Sequence, residues 1–426
     1  MPTRILIVGG GGREHALAWK LAQSPRLTRL YAAPGNPGIA AHADCVPVRD
    51  TDLDGLVALA RWERVELAVI GPEVPLSLGL RDRLSDAGVP VFGPSQSAAR
   101  LESSKAFAKD LMARYGIPTA RFRVFQDGDA AKRFCRELGA PLVIKADGLA
   151  AGKGAMVCAT LPEADAAIRL CLDEDAFGAA GRTVVVEEFM TGEEASFFVI
   201  TDGASALPLP AAQDHKAIFD DDRGPNTGGM GAYTPAPVMD EAMTGRVMEE
   251  IVTPTLAAMA KEGAPYAGVL FVGLMIGPDG PRVVEFNCRF GDPECQAILP
   301  RLDEDILPVF EAVASGRGLP ASLRWRREAS VCVVLASPGY PGTPRAGLPI
   351  EGVEAAAALP GVNVFHAGTA LRDGALLTAG GRVLGVQTLG GDIRAAIERA
   401  YDAVGRIRFE GMQFRHDIGR RALARS

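Results

Sequence analysis

Length, composition and charge restrict the classes of protein to which this chain can belong. Its 426 residues are too many for one compact core and predict about two to four domains, and an apolar share of 48% is that of an ordinary globular protein. The formal net charge of −7 excludes a general attraction to nucleic acid or anionic membranes, so phosphate binding must be local and the expected partners are small molecules.

Cysteine usage and the absence of targeting signals indicate the compartment. Seven cysteines are scattered along the chain without a C-x-x-C pair, which favours reduced thiols and argues against a zinc site. The first residues, MPTRILIVGGGG, lack a signal-peptide pattern, and no apolar run reaches about 18 residues. We therefore expect a soluble, cytoplasmic protein.

The first hundred residues alternate between short apolar runs and helical spacing, which predicts a parallel sheet covered by helices. The predicted strands are residues 4–9, 30–33, 65–70 and 89–92, and the predicted helices are residues 13–21, 53–62 and 76–84. Each strand runs into a glycine or proline turn, at residues 9–12, 33–38, 71–75 and 93–95. Such sheets bind ligands beyond the carboxyl ends of their strands, so these turns are expected to line one crevice.

The glycine turn at residues 9–12 fits neither common nucleotide-binding motif. A dinucleotide fingerprint would need a third glycine at Glu14 or His15, and no Gly-Lys-Ser/Thr follows to make a P-loop. The turn leaves backbone N–H groups at a helix N-terminus with Arg13 beside them, which suits one phosphate monoester. A tight turn that serves only packing is the alternative.

Two lysines occupy positions that are unfavourable without an anion. Lys105 lies in the first turn of a helix, where the dipole favours acidic residues, although a solvated lysine fits the pattern equally well. Lys145 lies in the apolar strand 141–147, which a glycine-rich loop at 148–154 joins to a strand at 155–158. A loop of this kind between antiparallel strands can close over a triphosphate.

Residues 183–189 and 195–201 are typical of two strands, and we expect them to form a hairpin-like pair around the sequence TGEE. In an adenine-nucleotide site the chain after such a strand supplies main-chain groups for the base edge, and a carboxylate such as Glu194 binds ribose hydroxyls. A charged turn without a ligand is the alternative for these glutamates.

Residues 210–233 are polar and glycine-rich and show neither helical nor strand periodicity. A loop of this length inside a compact protein is usually functional or disordered. Asp214, His215, Lys216 and Asn226 are its candidates for substrate and phosphate contacts. The run DDD at 220–222 is predicted to be solvated rather than a second metal site.

The segment VVEFNCRFGDPE, residues 283–294, is the strongest single indication of a site. It begins as a strand after a GPDGP turn, so Glu285, Asn287 and Arg289 share one face if the strand extends that far. A carboxylate and an amide oxygen at this spacing suit a hard cation such as Mg²⁺. Arg289 can hold a second anionic oxygen, and Asp292 follows in a turn that can face a ligand. A solvated edge strand is the alternative.

The end of the chain carries no catalytic motif. A helix near residues 302–314 precedes a strand at 329–336, further short strands and a helix at 392–407. We expect a small domain that completes the cleft.

The chain resembles the glycinamide ribonucleotide synthetase (phosphoribosylamine–glycine ligase) family, of the ATP-grasp superfamily, in motifs that occur in the order GGGGREHALAW, APGNPG, GPEVPL, LESSKAFAKD, VIKADGLAAGKG, EEFMTGEEASF, QDHKAIFDDDRGPNTGGMGAY and EFNCRFGDPE. The resemblance covers essentially the whole chain and departs from the family at Cys295, where threonine is common.

This resemblance implies a multidomain fold of the α/β and α+β classes. Residues 1–103 would form an N-terminal parallel α/β domain that binds substrate. Residues 104–327 would form the ATP-grasp core, with a mobile lid at about 122–192, and residues 328–426 would form a small C-terminal α+β domain.

The resemblance also implies a reaction. ATP, glycine and 5-phosphoribosylamine would give glycinamide ribonucleotide, ADP and phosphate through a glycyl phosphate intermediate, in purine biosynthesis. The metal cofactor would be Mg²⁺ or Mn²⁺. The protein is expected to act as a monomer without nucleic-acid or membrane partners.

Matching motifs assign roles to individual residues. The implied metal ligands are Glu285 and Asn287. The residues implied to bind ATP are Lys105, Lys145, Gly148, Gly152, Lys153, Gly154, Glu187, Glu188, Phe189, Met190, Glu194, Lys216 and Asn226. The residues implied to face phosphoribosylamine and glycine are Gly11, Gly12, Arg13, Glu14, Asn36, Glu73, Asp214 and Arg289. The candidate catalytic residues are Lys145, Asp214, Arg289 and Asp292.

Three other functions are compatible with parts of the pattern. Another ATP-grasp ligase or carboxylase would keep the ATP and metal residues, but the motifs GGGGREHA and GPNTGGMGAY argue against it. The failed glycine fingerprint opposes a nicotinamide-dependent oxidoreductase. The intact pair of Glu285 and Asn287, together with both lysines, opposes a non-catalytic nucleotide-binding protein.

Overall fold

The computed structural model describes residues 3–150, 154–174 and 176–425 of the chain. Its N-terminal strands are β1 (Thr3–Gly9), β2 (Leu27–Pro34), β3 (Asp44–Cys45), β4 (Leu67–Ile70) and β5 (Val91–Phe92). The helices between them are α1 (Gly12–Leu21), α2 (Leu53–Trp62), α3 (Glu73–Ser77), α4 (Leu80–Asp86) and α5 (Gln96–Ser103). The strands form one parallel sheet in the order β3-β2-β1-β4-β5.

The parallel sheet predicted for this part of the chain is confirmed. β1 and β4 are almost entirely buried because helices cover both faces of the sheet, which explains their unbroken apolar sequences. One helix was predicted over residues 76–84, but the chain forms two, α3 and α4, because Gly79 between them has a φ of 87°. The short strand β3 was not predicted, since two residues carry no periodic signal.

The middle of the chain begins with α6 (Lys105–Tyr115) and continues through two antiparallel sheets. The strands of the first sheet are β6 (Phe122–Phe125), β7 (Leu142–Ala146), β8 (Ala155–Cys158) and β9 (Val184–Glu188), and the helices between them are α7 (Gly128–Leu138) and α8 (Leu161–Leu172). Next come β10 (Glu193–Thr201), β11 (Ala206–Pro208), β12 (Gln213–Asp214), β13 (Ala217–Phe219), β14 (Arg223–Asn226) and β15 (Gly231–Thr234). The rest are α9 (Glu241–Val247), α10 (Thr253–Lys261), β16 (Gly268–Gly277), β17 (Gly280–Asn287), α11 (Glu294–Ile298) and α12 (Leu307–Ser315).

The strands predicted to pair around TGEE lie in different sheets, so that prediction was wrong. β9 belongs to the sheet β6-β9-β7-β8, whereas β10 belongs to the sheet β11-β10-β16-β17. The connection passes through Gly192, whose φ is 148°. Apolar alternation identifies a strand but not its partner, and this connection carries the chain from the predicted lid into the second sheet.

The segment 210–233 was predicted to be an aperiodic loop, and this prediction was also wrong. It contains the four short strands β12 to β15, of two to four residues each, which are too short to show a period. β13 and β14 pair with each other, whereas β12 and β15 join the sheet of the C-terminal region.

The C-terminal elements are β18 (Ala329–Ala336), α13 (Val353–Ala357), β19 (Val362–His366), β20 (Thr369–Arg372), β21 (Ala375–Thr378), β22 (Arg382–Gly390), α14 (Ile393–Val404) and α15 (Arg420–Leu423). The main sheet has the order β12-β15-β18-β22-β19, and α14 packs against it. The predicted strand at 329–336 coincides with β18, and the predicted final helix corresponds to α14, which Asp392 caps.

The three parts of the chain share a continuous apolar core. Phe92 from the N-terminal sheet stacks on Phe310 of α12, with ring centroids 3.9 Å apart. Leu17 of α1 and Phe365 of β19 belong to the same core. Interior packing of this kind fixes the N-terminal sheet, α12 and β19 relative to one another.

Two expectations drawn from composition can be compared with the structure. All seven cysteines are free, and burial raises the pKa of the thiols of Cys135, Cys158 and Cys171 to about 11, which makes them poor nucleophiles. No helix within residues 3–150, 154–174 and 176–425 is long and apolar enough to cross a membrane.

We predict that Gly192→Ala destabilises the protein by about 1–3 kcal/mol, because a Cβ there would lie 2.4 Å from the carbonyl oxygen of Ile276 and the φ favours glycine. Thermal unfolding measures the effect. Gly391→Ala is the matched control, since a Cβ at that position meets nothing within 4 Å. Equal midpoints for the two variants would contradict the prediction.

Candidate active site

The turns that follow β1, β2 and β4 meet at one edge of the parallel sheet, as the sequence predicted. A Cβ on Gly10 would lie 2.5 Å from the carbonyl oxygen of Gly35, in the turn after β2. A Cβ on Gly71, after β4, would lie 2.0 Å from a carboxylate oxygen of Glu14. Only glycine allows these approaches, and they bring the three turns into one crevice.

Arg13 and Glu14 are buried behind the glycine turn. Glu14 accepts hydrogen bonds from the backbone N–H of Gly11, at 2.7 Å, and from Nε of Arg13, at 2.6 Å. Nη1 of Arg13 donates to the carbonyl oxygen of Phe290 at 3.2 Å. The guanidinium of Arg13 therefore supports the turn from behind, and a phosphate in the crevice would depend on backbone N–H groups.

Asn36 connects the N-terminal crevice to the C-terminal region. Its Nδ2 donates to the carbonyl oxygens of Gly10 and His366, both at 2.9 Å. Its Oδ1 accepts from the backbone N–H groups of Gly38 and Ile39, both at 2.9 Å. These bonds use both donors and both acceptor positions of the amide, so Asn36 holds the loop in shape.

Arg289 lies just beyond the end of β17 and is held by two carboxylates. Its Nε donates to Glu73 at 3.3 Å, and its Nη2 lies 2.9 Å from Glu102 and 3.0 Å from Oδ1 of Asn287. Glu102 also accepts from the backbone N–H of Cys288 at 2.6 Å. Sequence reasoning missed Glu102, because its partners lie far away along the chain.

Glu285 is surrounded by three lysines from different elements. Burial acts to raise the pKa of its carboxyl group, but Lys216, Lys145 and Lys105 lower that pKa below the usual value. Lys105 starts α6, Lys145 lies in β7, and Lys216 lies between β12 and β13. The structure therefore brings together the three lysines and the carboxylate that were singled out separately in the sequence.

Glu285 and Asn287 fit a divalent cation as a pair. They are two residues apart near the end of β17, so both project from the same face of the strand. No group of three His, Cys, Asp or Glu residues that could hold a metal occurs among the described residues. The donor set of one carboxylate and one amide therefore suits a cation that receives its other ligands from phosphate and water.

Lys105 and Lys145 reach the cleft from its two sides. Nζ of Lys105 donates to the carbonyl oxygen of Gly148 at 2.8 Å, and burial lowers its pKa. Nζ of Lys145 donates to the carbonyl oxygen of Val284 at 2.9 Å. Gly148 begins the predicted phosphate loop and Gly154 ends it, whereas Gly152 and Lys153 lie outside the described residues.

The residues predicted to contact the nucleotide base have different environments. The side chain of Glu187 is buried and faces Lys145 and Lys109, not the cleft. Glu188 accepts from the backbone N–H of Arg121 at 3.0 Å. Phe189 is 41% exposed, whereas Met190 is buried. A base in this position would therefore meet the backbone of the connection and the ring of Phe189.

Glu194 in β10 and Lys216, just after β12, form an ion pair with 2.8 Å between Oε2 and Nζ. Burial acts to lower the pKa of Lys216, but the carboxylates of Glu194 and Glu285 raise it. Asn226 is exposed on β14, and no hydrogen bond of its side chain is found within the described parts of the chain.

Two carboxylates lie close together beneath the β12–β13 connection. Asp214 accepts from the backbone N–H of His215 at 2.7 Å, and Glu294 accepts from Oγ of Ser196 at 2.9 Å. Burial and the charge of Glu294 raise the pKa of Asp214, and burial also raises the pKa of Glu294. Glu294 was missed as a site residue, although it stands in the GDPE motif.

Asp292 is the site residue that the C-terminal region contacts, through Arg382. Its side chain accepts from the backbone N–H of Arg13 at 3.3 Å and from Nε2 of Gln296 at 2.8 Å. Nη1 of Arg382 donates to the Asp292 carbonyl oxygen at 2.5 Å and lies 3.3 Å from its carboxylate. Arg382 was not identified from the sequence, because its partner Asp292 lies 90 residues away along the chain.

The aspartates at 220–222 are partly or fully exposed, as the prediction of a solvated run expects, but ion pairs also fix them to the end of the chain. The fully buried guanidinium of Arg415 donates to Asp222 at 2.8 Å, to Asp417 at 2.6 Å and to the carbonyl oxygen of Ala217 at 3.2 Å. Arg421 also pairs with Asp222. This network anchors the segment that carries Lys216.

We predict that Arg415→Met destabilises the protein by about 3 kcal/mol, because it leaves the carboxylates of Asp222 and Asp417 without their buried partner. Urea denaturation measures the change. Arg29→Met is the control, since the ion pair of Arg29 with Asp44 is exposed and contributes little. A loss for Arg415→Met no larger than that of the control would refute the role of the network.

Comparison with known proteins identifies the family. The phosphoribosylglycinamide synthetase family models match as the N domain over residues 3–102, the ATP-grasp (A) domain over 103–295 and the C domain over 330–421. The phosphoribosylamine–glycine ligase of Mesorhizobium japonicum is 55% identical over 99% of both chains. The enzyme of the same name from Rhizobium meliloti is 54% identical over 99% of both chains.

Solved structures agree with this relationship. The crystal structure of phosphoribosylamine–glycine ligase from Thermotoga maritima has a TM-score of 0.86 and 34% identity, covering 97% of this chain and 100% of that one. A biotin carboxylase from Campylobacter jejuni has a TM-score of 0.74 at 17% identity, over 97% of this chain and 93% of that one, and so shares the fold alone. The predicted fold class and resemblance are therefore confirmed, and the chain belongs to the phosphoribosylglycinamide synthetase family, with the ATP-grasp domain that defines its centre.

Proposed function

We propose that the protein is a phosphoribosylamine–glycine ligase of purine biosynthesis. It joins glycine to 5-phosphoribosylamine at the expense of ATP, giving glycinamide ribonucleotide, ADP and phosphate. Relatives of this name match the chain over nearly its full length, which supports the assignment. The same relatives argue against an ATP-grasp enzyme with a different pair of substrates.

The arrangement around Glu285 is the observation that carries the proposal. One carboxylate and the amide of Asn287 face Lys105, Lys145 and Lys216 in a single cleft. Cations in that number suit a triphosphate, and the oxygen pair suits the metal ion that accompanies it. Phosphoryl transfer needs positioned charge more than reactive side chains, and this cleft supplies positioned charge.

The nucleotide side of the proposed site holds ATP and a divalent cation. The cation would be Mg²⁺ or Mn²⁺, held by Glu285 and Asn287, and would neutralise charge on the phosphates. The residues proposed to bind ATP are Lys105, Lys145, Gly148, Gly152, Lys153, Gly154, Glu187, Glu188, Phe189, Met190, Glu194, Lys216 and Asn226. The proposal for Glu187 concerns its backbone, because its side chain faces away from the cleft.

The other side of the cleft is proposed to bind phosphoribosylamine and glycine. Gly11 and Gly12 would present backbone N–H groups to the phosphate, while Arg13, Glu14 and Asn36 keep that turn in shape. The remaining residues proposed here are Glu73, Asp214, Arg289 and Asp292. We further propose that the protein acts as a monomer in the cytoplasm.

The proposed reaction has two steps. An oxygen of the glycine carboxylate attacks the γ-phosphorus and ADP leaves, with Lys145 and Arg289 balancing the developing charge. The amine of phosphoribosylamine then attacks the acyl carbon, phosphate leaves, and the nitrogen loses a proton. The raised pKa of Asp214 makes that carboxylate a suitable acceptor for the proton.

We expect ADP release only when ATP, glycine and 5-phosphoribosylamine are all present, because an acyl phosphate forms productively only beside its amine acceptor. Purified protein with Mg²⁺ is assayed with each substrate omitted in turn, and the product is identified by mass. Glycinamide ribonucleotide as the product supports the proposal. ADP release without phosphoribosylamine, or with another acid in place of glycine, would overturn the substrate assignment.

We expect Lys145→Ala and Glu285→Ala each to lower kcat by about 10² or more, because each removes a charge that acts on the transferring phosphoryl group or its metal. Circular dichroism checks that both variants remain folded. Lys261→Ala and Glu249→Ala are the matched controls. Both change exposed residues, so they should keep normal turnover. Near-normal kcat in either site variant would refute the assigned role.

We expect EDTA to abolish turnover, and added Mg²⁺ or Mn²⁺ to restore it, because the phosphates need a cation in the position assigned to Glu285 and Asn287. Asn287→Ala should require a higher metal concentration for half-maximal rate than the wild type. The metal titration is carried out at saturating ATP. An unchanged requirement in Asn287→Ala would remove this residue from the metal site.

A further inference from the structure

A buried cluster of three charges lies behind the lysines of the cleft. The carboxylate of Glu187 in β9 stands between Lys109 of α6, at 2.9 Å, and Lys145 of β7, at 3.1 Å. All three side chains are at most 5% exposed. Two cations on one buried carboxylate leave the cluster with an excess positive charge, which requires an explanation.

Lys109 itself does not reach the cleft. It lies four residues after Lys105 on α6, but its Nζ donates to Oγ1 of Thr119 at 2.8 Å and pairs with Glu187. Lys145 differs, because its Nζ also reaches the carbonyl oxygen of Val284, next to Glu285. Only Lys145 therefore connects this cluster to the proposed triphosphate site.

We propose that Lys109 is a positioning residue that neutralises Glu187 and so leaves the ammonium group of Lys145 available to the phosphates of ATP. This inference rests on the proposed nucleotide site. Without Lys109, the buried carboxylate of Glu187 has Lys145 as its cation and draws that ammonium group back from the cleft. Lys109 acts through Glu187 and touches no substrate.

The charge state of Lys109 makes the arrangement sensitive to pH. Burial lowers the pKa of its ammonium group to about 8, and Lys145 and Arg282 add to this effect while Glu187 opposes it. Its other neighbours, Thr119 and the ring of Phe122 at 5.5 Å, carry no charge. Lys109 is therefore charged below about pH 8 and loses its proton above it. Lys145 is then the cation that remains paired with the carboxylate of Glu187.

A double-mutant cycle separates this role from simple structural support. The dissociation constant of Mg-ATP is measured by calorimetry, without glycine or phosphoribosylamine, for wild type, Lys109→Met, Glu187→Gln and the double variant. We expect Lys109→Met to weaken binding about tenfold. In the double variant, Glu187→Gln keeps the backbone that is proposed to contact ATP and removes only the competing side-chain charge, so binding should return to within about threefold of wild type.

Thermal unfolding and pH provide the remaining controls. Wild-type affinity for Mg-ATP should fall between about pH 7 and pH 9, where Lys109 loses its proton, and the affinity of the double variant should not. All binding is measured well below the lowest unfolding midpoint of the set. The inference would be overturned if Lys109→Met lowered the thermal unfolding midpoint but bound Mg-ATP with wild-type affinity, because Lys109 would then only stabilise the fold.

The outcomes also separate this inference from the proposed function. Failure of the wild type to bind Mg-ATP would remove the proposed nucleotide site and the inference with it. Normal binding by the wild type, with Lys109→Met and the double variant equally weakened, would overturn the inference alone, because the loss would then not depend on the charge of Glu187.

Discussion

Charge compensation at Glu285 is the interaction on which the geometry of the cleft depends. A carboxylate in this partly enclosed position keeps its lowered pKa because Lys216, Lys145 and Lys105 surround it. Each lysine comes from a different part of the fold, so the cluster exists only when α6, β7 and the β12–β13 connection have taken their places. The lysines would repel one another without the carboxylate, which makes the ligand site and the assembly of the fold interdependent.

The turn after β17 joins the site to the other parts of the chain through hydrogen bonds and an ion pair. Asp292 receives the backbone N–H of Arg13 from the N-terminal sheet and the guanidinium of Arg382 from the C-terminal region. Two residues further on, Glu294 accepts the hydroxyl of Ser196 from β10. One short turn therefore contacts three parts of the chain, so the segment singled out in the sequence as a site also joins those parts.

Sequence reasoning succeeded where the signal is local. The first sheet and the position of Glu285 and Asn287 in one strand were predictable, because strand alternation and glycine turns depend on neighbouring residues. Reasoning failed where partners are distant: β9 and β10 have the pattern of a hairpin but join different sheets. Glu102 stands in the motif LESSKAFAKD, but neither it nor Arg382 has its partners nearby in the sequence, so their importance follows only from the side chains that the fold brings to them. The ion pairs of Asp222 with Arg415 and Arg421 were missed for the same reason.

The contacts of the cleft lysines also explain how a site can be assembled before its substrate arrives. Lys105 and Lys145 donate to the carbonyl oxygens of Gly148 and Val284, which are neutral acceptors. Each of these bonds already has a charged donor, but a bond from an ammonium group to a phosphate oxygen joins two opposite charges and is therefore stronger. The lysines are therefore held in place by bonds that a phosphate can replace with a gain in free energy, and little reorganisation opposes binding.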